Sequence, residues 1–327
     1  MNIVVIRPGA IGDALLTFPV LQALRARYSS PYITFVSNAS VLPLAQASGV
    51  VDEVSDYEDM LWSELFSARG IRTPVLKSRL QGVDMAICWL RDVEGMVEHN
   101  LRVVGIRQIV IAPGRPLEGE RVHIVDYLAR AVGVEVDMHT YVCPTLWGKP
   151  GTAGDHKGLP RTSAPPSPLR DWGKQIDECV AIHPGSGGAQ KCWPIESFAA
   201  VIEWLWERSS SVLLLAGPAE AERLAYLQQR LAAPPVAGMF RVLFNAPLIE
   251  VARHLQQCRG YLGNDSGITH LAAMLGVPTV AIFGPSDPVI WRPVGERVRV
   301  IHAPELEALS VDVVMEALKA ILPTRAR

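Results

Sequence analysis

With 327 residues and 49% hydrophobic content, the chain can bury substantial cores, and its length favours two domains over one. A formal net charge of −2 excludes a binder held mainly by electrostatic attraction to nucleic acid, which needs a basic surplus. The cysteines (Cys88, Cys143, Cys179, Cys192 and Cys258) are odd in number and lack metal or redox spacing, so they read as reduced thiols of a cytosolic protein. No apolar run reaches the length of a membrane span, and the opening segment is too short and too charged for a signal peptide.

Residues 3–6 form an apolar run of strand length, followed by the turn Arg7-Pro8-Gly9-Ala10-Ile11-Gly12-Asp13. Residues 14–28 then carry helical spacing through Leu15, Leu16, Val20, Leu21 and Leu24, with Pro19 predicting an early kink or a later start. Asp13 is thereby placed at a helix N-terminus above the C-terminal end of the first strand. It is either a cap, worth about 1 kcal/mol, or a general base facing a cleft. Arg7, at the strand end, is either a solvated side chain or a contact for a substrate.

Strands are predicted over 32–36, 51–54, 83–88 and 108–111, with helical stretches over 41–47, 61–69, 93–103 and 124–132 between them. This alternation predicts a parallel sheet covered by helices on both faces. Arg69, Arg72, Lys77, Arg79 and Arg91 solvate helix faces or meet a phosphorylated, lipid-linked acceptor. From 147 to 174, proline, glycine, serine and charge replace apolar periodicity, which marks an interdomain linker or a partly mobile loop. The expected division is a domain over 1–146, a linker over 147–178 and a domain over 179–327.

The second half opens with a strand at 179–182 and the loop His183-Pro184-Gly185-Ser186-Gly187-Gly188-Ala189-Gln190-Lys191-Cys192-Trp193-Pro194. Such a loop is able to wrap an anion, with Lys191 adding a full charge, although glycine-rich turns also serve as plain connections. A strand at 212–216 leads into Gly217-Pro218-Ala219-Glu220 and a helix to 231. An acidic residue here accepts hydrogen bonds from ribose hydroxyls, or merely complements the helix dipole. After a strand at 260–262 comes Gly263-Asn264-Asp265-Ser266-Gly267-Ile268-Thr269-His270, opening a helix that Gly276 ends. The free N–H groups of Ser266, Gly267 and Ile268 suit a phosphate, while His270 is a site residue or a hydrogen-bonded core histidine. A strand over 277–283, another over 298–301 and a helix over 311–322 complete the chain.

Four of these stretches, in order, resemble the signature segments of the ADP-heptose lipopolysaccharide heptosyltransferases, glycosyltransferase family 9. They are Ile6 to Thr17 around Asp13, the His-Pro-Gly…Lys-x-Trp-Pro loop, the Gly-x-x-x-Glu turn, and Gly263 to Pro288. The resemblance implies an α/β GT-B fold, in which two Rossmann-like domains face each other across a cleft. The N-terminal one would bind the acceptor and the C-terminal one the nucleotide sugar. It further implies inverting, metal-independent transfer, with ADP-heptose as donor substrate and no cofactor. Asp13 would be the general base and Arg7 an acceptor contact. Ser186 and Lys191 would meet the donor's phosphates, and Glu220 the nucleoside, with Glu222 as fallback. Asp265 and His270 would orient donor sugar or phosphates, and the N–H groups of Ser266, Gly267 and Ile268 would receive the leaving diphosphate.

The implied acceptor is a lipopolysaccharide-core glycan or glycolipid at the inner membrane surface, met by a cytoplasmic or peripheral enzyme. Two departures stand out. Residues 242–247 replace the glycine-containing segment usual in relatives, and the cysteines that family members often carry near the C-terminus are missing. Transfer of another sugar from another nucleotide, or non-catalytic binding of a nucleotide or nicotinamide, are the alternatives. The first turn lacks Gly-x-Gly-x-x-Gly, which counts against a dehydrogenase.

Overall fold

The computed structural model describes residues 1–139, 141, 143, 179–231, 234–236 and 238–322. The expected linker therefore lies outside the described residues. Within them, eleven strands form two sheets that are parallel throughout.

The first sheet contains β1 (Asn2–Arg7), β2 (Tyr32–Ser37), β3 (Glu53–Asp56), β4 (Met85–Trp89) and β5 (Gln108–Ala112), in the order β3-β2-β1-β4-β5. The second contains β6 (Cys179–His183), β7 (Ser211–Ala216), β8 (Phe240–Phe244), β9 (Gly260–Asn264), β10 (Thr279–Phe283) and β11 (Val298–His302), in the order β11-β10-β9-β6-β7-β8. Central strands such as β4, β6, β9 and β10 are buried along their whole length. That is why they read as continuous apolar runs rather than as alternating ones.

Helices α1 (Ile11–Leu15), α2 (Phe18–Arg27), α3 (Leu42–Ala47), α4 (Pro74–Leu80), α5 (Met96–Val104) and α6 (Ile124–Ala131) belong to the first half. The second half carries α7 (Ile195–Glu207), α8 (Ala221–Arg230), α9 (Leu248–Leu255), α10 (Gly267–Met274), α11 (Pro288–Trp291) and α12 (Val311–Ile321). The helix expected over 14–28 is split at Leu16 and Thr17. Pro19 falls in the first turn of α2, where its missing N–H costs nothing. The stretch 61–69 is a 3-10 helix over Met60–Phe66, capped by the Asp59 carboxylate. The next helix starts later than its apolar spacing suggested, at Met96, because the Asp92 carboxylate accepts the N–H groups of Val97 and Glu98. The third strand lies two residues later than expected, in register with β2 from Thr34↔Glu53 to Ser37↔Asp56.

In both sheets the strand order reverses beside the first strand, between β1 and β4 and between β6 and β9. Ligand crevices in open parallel sheets form at such switch points, outside the C-terminal strand ends. The turns that leave β1, β6 and β9 carry the residues singled out above, and the two halves bring these turns face to face.

Contact between the halves is direct. Helix α1 packs against the start of α10, and a Cβ built on Gly267 would lie 2.7 Å from Ile11 Cγ2, so only a glycine lets the backbones approach this closely. Arg121 Nε donates to Asp287 Oδ2 at 2.7 Å, and His123 Nε2 donates to the Arg292 carbonyl at 2.9 Å, while its Nδ1 accepts the Val125 N–H. One apolar core runs from the first sheet through Leu15 and Leu16 to Leu248, Val251 and Leu271 of the second half.

Gly267→Ala should overpack this contact, cost about 1–3 kcal/mol of stability and so lower the melting temperature. The same substitution made on an Ile11→Ala background should cost far less. Melting curves of the two single variants and the double variant check the coupling; simple additivity would show that the halves do not meet through this pair.

Candidate functional site

A cavity of about 1480 Å³ opens between the two sheets at their C-terminal edges. Arg7, Asp13, Ser186, Lys191, Glu220, Asp265, Ser266, Gly267, Ile268 and His270 all line it, so residues far apart in the sequence reach one space.

On the first-half wall, Asp13 is the third residue of α1. Its Oδ2 accepts the Ala10 N–H at 3.1 Å, and its Oδ1 accepts from Arg7 Nη2 at 3.0 Å. Each carboxylate oxygen thus keeps lone-pair capacity, and the side chain is 29% exposed to the cavity while Arg7 is 3% exposed. The picture of Arg7 as a solvated strand-end residue is corrected: the guanidinium is packed beneath Asp13, and burial pushes its pKa down while the Asp13 charge acts against that shift. Gly114 makes the room, since a Cβ there would fall 2.0 Å from Arg7 Nη1. Arg7 holds the carboxylate in place, and little of it is left to touch an acceptor.

On the opposite wall, Lys191 ends a short 3-10 turn and donates from Nζ to Asp265 Oδ2 at 2.8 Å. Two ammonium protons remain for a ligand. The Ser186 hydroxyl donates to the Asp265 carbonyl at 2.5 Å, so the side chain reaches the cavity with its proton already committed. Ser266 is the N-cap of α10, accepting the Thr269 N–H at 3.4 Å. The first helical bond is His270 N–H to Ser266 O, so the N–H groups of Ser266, Gly267 and Ile268 precede the ladder and present themselves to the cavity.

Below this helix start lies a run of buried hydroxyls. Tyr261 Oη and Thr269 Oγ1 are 3.0 Å apart, Thr269 Oγ1 and Ser266 Oγ 3.0 Å, and Ser266 Oγ and His183 Nδ1 3.3 Å. His183 was not foreseen as a site residue; it appeared only as the first letter of a glycine-rich loop.

His270 is 4% exposed, as a core histidine would be, but it is not a hydrogen-bonded one. Its Nδ1 has no partner among the described residues, and its Nε2 stands 3.9 Å from Asp265 Oδ1. Burial pushes the pKa of both His183 and His270 down to about 4.

Glu220 is buried at 8% exposure and its Oε2 accepts the Gly217 N–H at 2.8 Å, whereas Glu222 is exposed and does not line the cavity. The structure therefore places Glu220, and not Glu222, at the cavity. Of the five basic residues flagged in the first half, Arg91 alone lines the cavity, joined by Arg115, which the sequence did not single out. Arg69, Arg72, Lys77 and Arg79 are exposed elsewhere, and Arg79 donates to Ser55 Oγ. Asn245 also lines the cavity, from the segment over 242–247. Among the described residues no group of three or more His, Cys, Asp and Glu is arranged to hold a metal.

The chain is similar to known proteins in sequence and in fold. A family model described as glycosyltransferase family 9 (heptosyltransferase) matches residues 160–319. Lipopolysaccharide heptosyltransferase 3 of Escherichia coli is 30% identical over 140 residues, so the chain spans about two-fifths of that relative's length, 40% of each chain being covered. Lipopolysaccharide heptosyltransferase 2 of Escherichia coli K12 is 23% identical over 324 residues, covering 92% of this chain and 88% of that one. Among solved structures, E. coli ADP-heptose LPS heptosyltransferase II superposes with a TM-score of 0.72 at 21% identity, with 98% of both chains covered. E. coli heptosyltransferase WaaC with ADP gives 0.71 at 18% identity, covering 98% of this chain and 99% of that one. The structural likeness carries the GT-B fold, and residues 160–319 carry the match to glycosyltransferase family 9, the heptosyltransferases.

Proposed function

We propose that this protein transfers a heptose from ADP-heptose to a lipopolysaccharide-core or related glycan, with inversion at the anomeric carbon. The observation that carries the proposal is the facing of two unlike walls across one cavity. A carboxylate held by a buried arginine stands on one side, and a lysine with a free helix N-terminus stands on the other.

In this reading the acceptor hydroxyl attacks the anomeric carbon as its proton passes to Asp13. The bond between that carbon and the phosphate oxygen breaks, and ADP leaves with the electron pair. The diphosphate gains charge in that step, so Lys191 and the N–H groups of Ser266, Gly267 and Ile268 stabilise the transition state more than the ground state. Asp265 positions Lys191, and Ser186 positions Asp265 through its carbonyl. Glu220 keeps one carboxylate oxygen for the ribose hydroxyls, and His270, a neutral imidazole deep in the cleft, faces the sugar. Arg91 and Arg115 take the acceptor's anionic groups, on a first domain over 1–146 joined by 147–178 to a donor domain over 179–327. The acceptor is presented at the inner face of the cytoplasmic membrane, to which the enzyme attaches peripherally. Structural neighbours solved with ADP and with a fluorinated ADP-heptose support the choice of donor.

The direct test is mass analysis of a lipopolysaccharide-core acceptor after incubation with ADP-heptose; no mass gain of one heptose rejects the proposal. Asp13→Asn should retain ADP affinity by calorimetry and lose about 10²–10⁴-fold in turnover, and full activity would remove Asp13 as base. Lys191→Ala should weaken ADP binding by about tenfold or more, as expected for a hydrogen bond to a charged group. Gly114→Ala should displace Arg7 and reduce kcat while donor affinity stays as in the parent.

The buried histidines give a pH test of the same site. Their folded pKa of about 4 lies below the ordinary 6.5, so the unfolded chain binds more protons between these values. Stability should therefore be fully present above about pH 6.5 and fall as the pH drops towards 4, by up to about 1.4 kcal/mol per pH unit for each histidine. Denaturant melts of the parent and of His270→Gln across this range check it, and the variant should show the shallower slope.

A further inference from the structure

Past Glu220, the cavity continues over the C-terminal ends of β7 and β8, and its lining changes to Leu215, Leu243, Ala246 and Leu248. Apolar walls of this kind suit the faces of an aromatic ring, with a few polar groups left to fix its orientation. Asn245 projects into this end. Its φ of 51° lies in the left-handed region, and its N–H donates to the Ala216 carbonyl at 2.9 Å. Asparagine is among the few residues other than glycine that adopt this conformation readily, so the turn is kept and a carboxamide is added. Ala216 precedes Gly217, whose N–H is the one accepted by Glu220, so Asn245 and the carboxylate assigned to the ribose are bonded to neighbouring residues at the end of β7.

We propose that Asn245 reads the nucleobase of the donor, its carboxamide hydrogen-bonding the base edge and setting which base is accepted. This rests on the reading of the cavity as a nucleotide-sugar site. Adenine presents an exocyclic amine beside a ring-nitrogen acceptor, which a carboxamide matches with its oxygen and its N–H in a two-bond pair. Guanine presents two adjacent donors on its Watson–Crick edge, a pattern that fits a carboxylate better. Exchanging the amide for a carboxylate, with little change of shape, should therefore shift the preference from one purine to the other.

The experiment is calorimetry of the full chain with ADP, GDP and UDP, for the parent, Asn245→Gly and Asn245→Asp. Glycine tolerates the left-handed turn, so Asn245→Gly should keep the parent's melting temperature, lose about tenfold in ADP affinity and narrow the ADP-to-GDP ratio. Asn245→Asp should bind ADP more weakly and GDP more tightly than the parent does. Unchanged ratios in both variants overturn Asn245 as the reader, and a parent that favours GDP or UDP overturns the adenine pattern. Failure of the parent to bind any of the three removes the nucleotide reading itself, an outcome distinct from the other two.

Discussion

The site depends on one close approach, the packing of α1 against the first turn of α10. Were Gly267 any larger, Ile11 would hold the halves apart, and Asp13 would no longer look across a bounded space at Lys191 and the helix terminus. The approach is energetically supported from below, because the apolar core continues from the first sheet into α9 and α10 without a polar break. It is supported at the rim by Arg121 and Asp287, an exposed pair of the kind that contributes at most about 1 kcal/mol. The core therefore carries the stability of the contact, and the rim pair contributes mainly to its geometry.

Charge on each wall is fixed before any ligand arrives. Arg7 is almost wholly buried, and removing water from a guanidinium is tolerable only when a partner replaces it. Asp13 is that partner, so its carboxylate has a structural duty as well as the proposed chemical one. A truncation to alanine would leave a buried cation unpaired, which costs about 3–5 kcal/mol in comparable cases, and lost activity would then say little about catalysis. Asparagine keeps an oxygen for Arg7 and the Ala10 N–H, and so separates the two duties.

Much of this was legible in the chain, for identifiable reasons. Buried parallel strands read as unbroken apolar runs, and the turns after β1, β6, β7 and β9 carried chemistry that local pattern placed at strand ends. What escaped notice was either weakly patterned or non-local. Strand β8 is a half-exposed edge strand interrupted by Arg241, and α4 is a short helix whose Thr73-Pro74 start was its main signal. Helix α9, with Leu248, Val251, Ala252 and Leu255 buried at helical spacing, could have been found from its periodicity. The burial of Arg7 could not, because the space it fills is made by Gly114, more than a hundred residues away. Nor could the role of His183, which acquires its neighbour Ser266 only when β6 and β9 pair.

The pairing of Lys191 with Asp265 at first looks wasteful in a site proposed to hold phosphates, since a carboxylate nearby would repel them. Electrostatic attraction to the ground state, however, does not accelerate transfer; only attraction that grows in the transition state does. A lysine tethered by Asp265 is held in one orientation on an otherwise flexible stem, so its remaining protons stay aimed at the place where charge builds up. Asp265 is in turn fixed through its backbone by Ser186, and the helix start behind it by the hydroxyl run from Tyr261 to His183. Under the proposed transfer, this wall would give up some affinity for the resting donor in return for rigid hydrogen-bond donors around the leaving group, which favours turnover over retention.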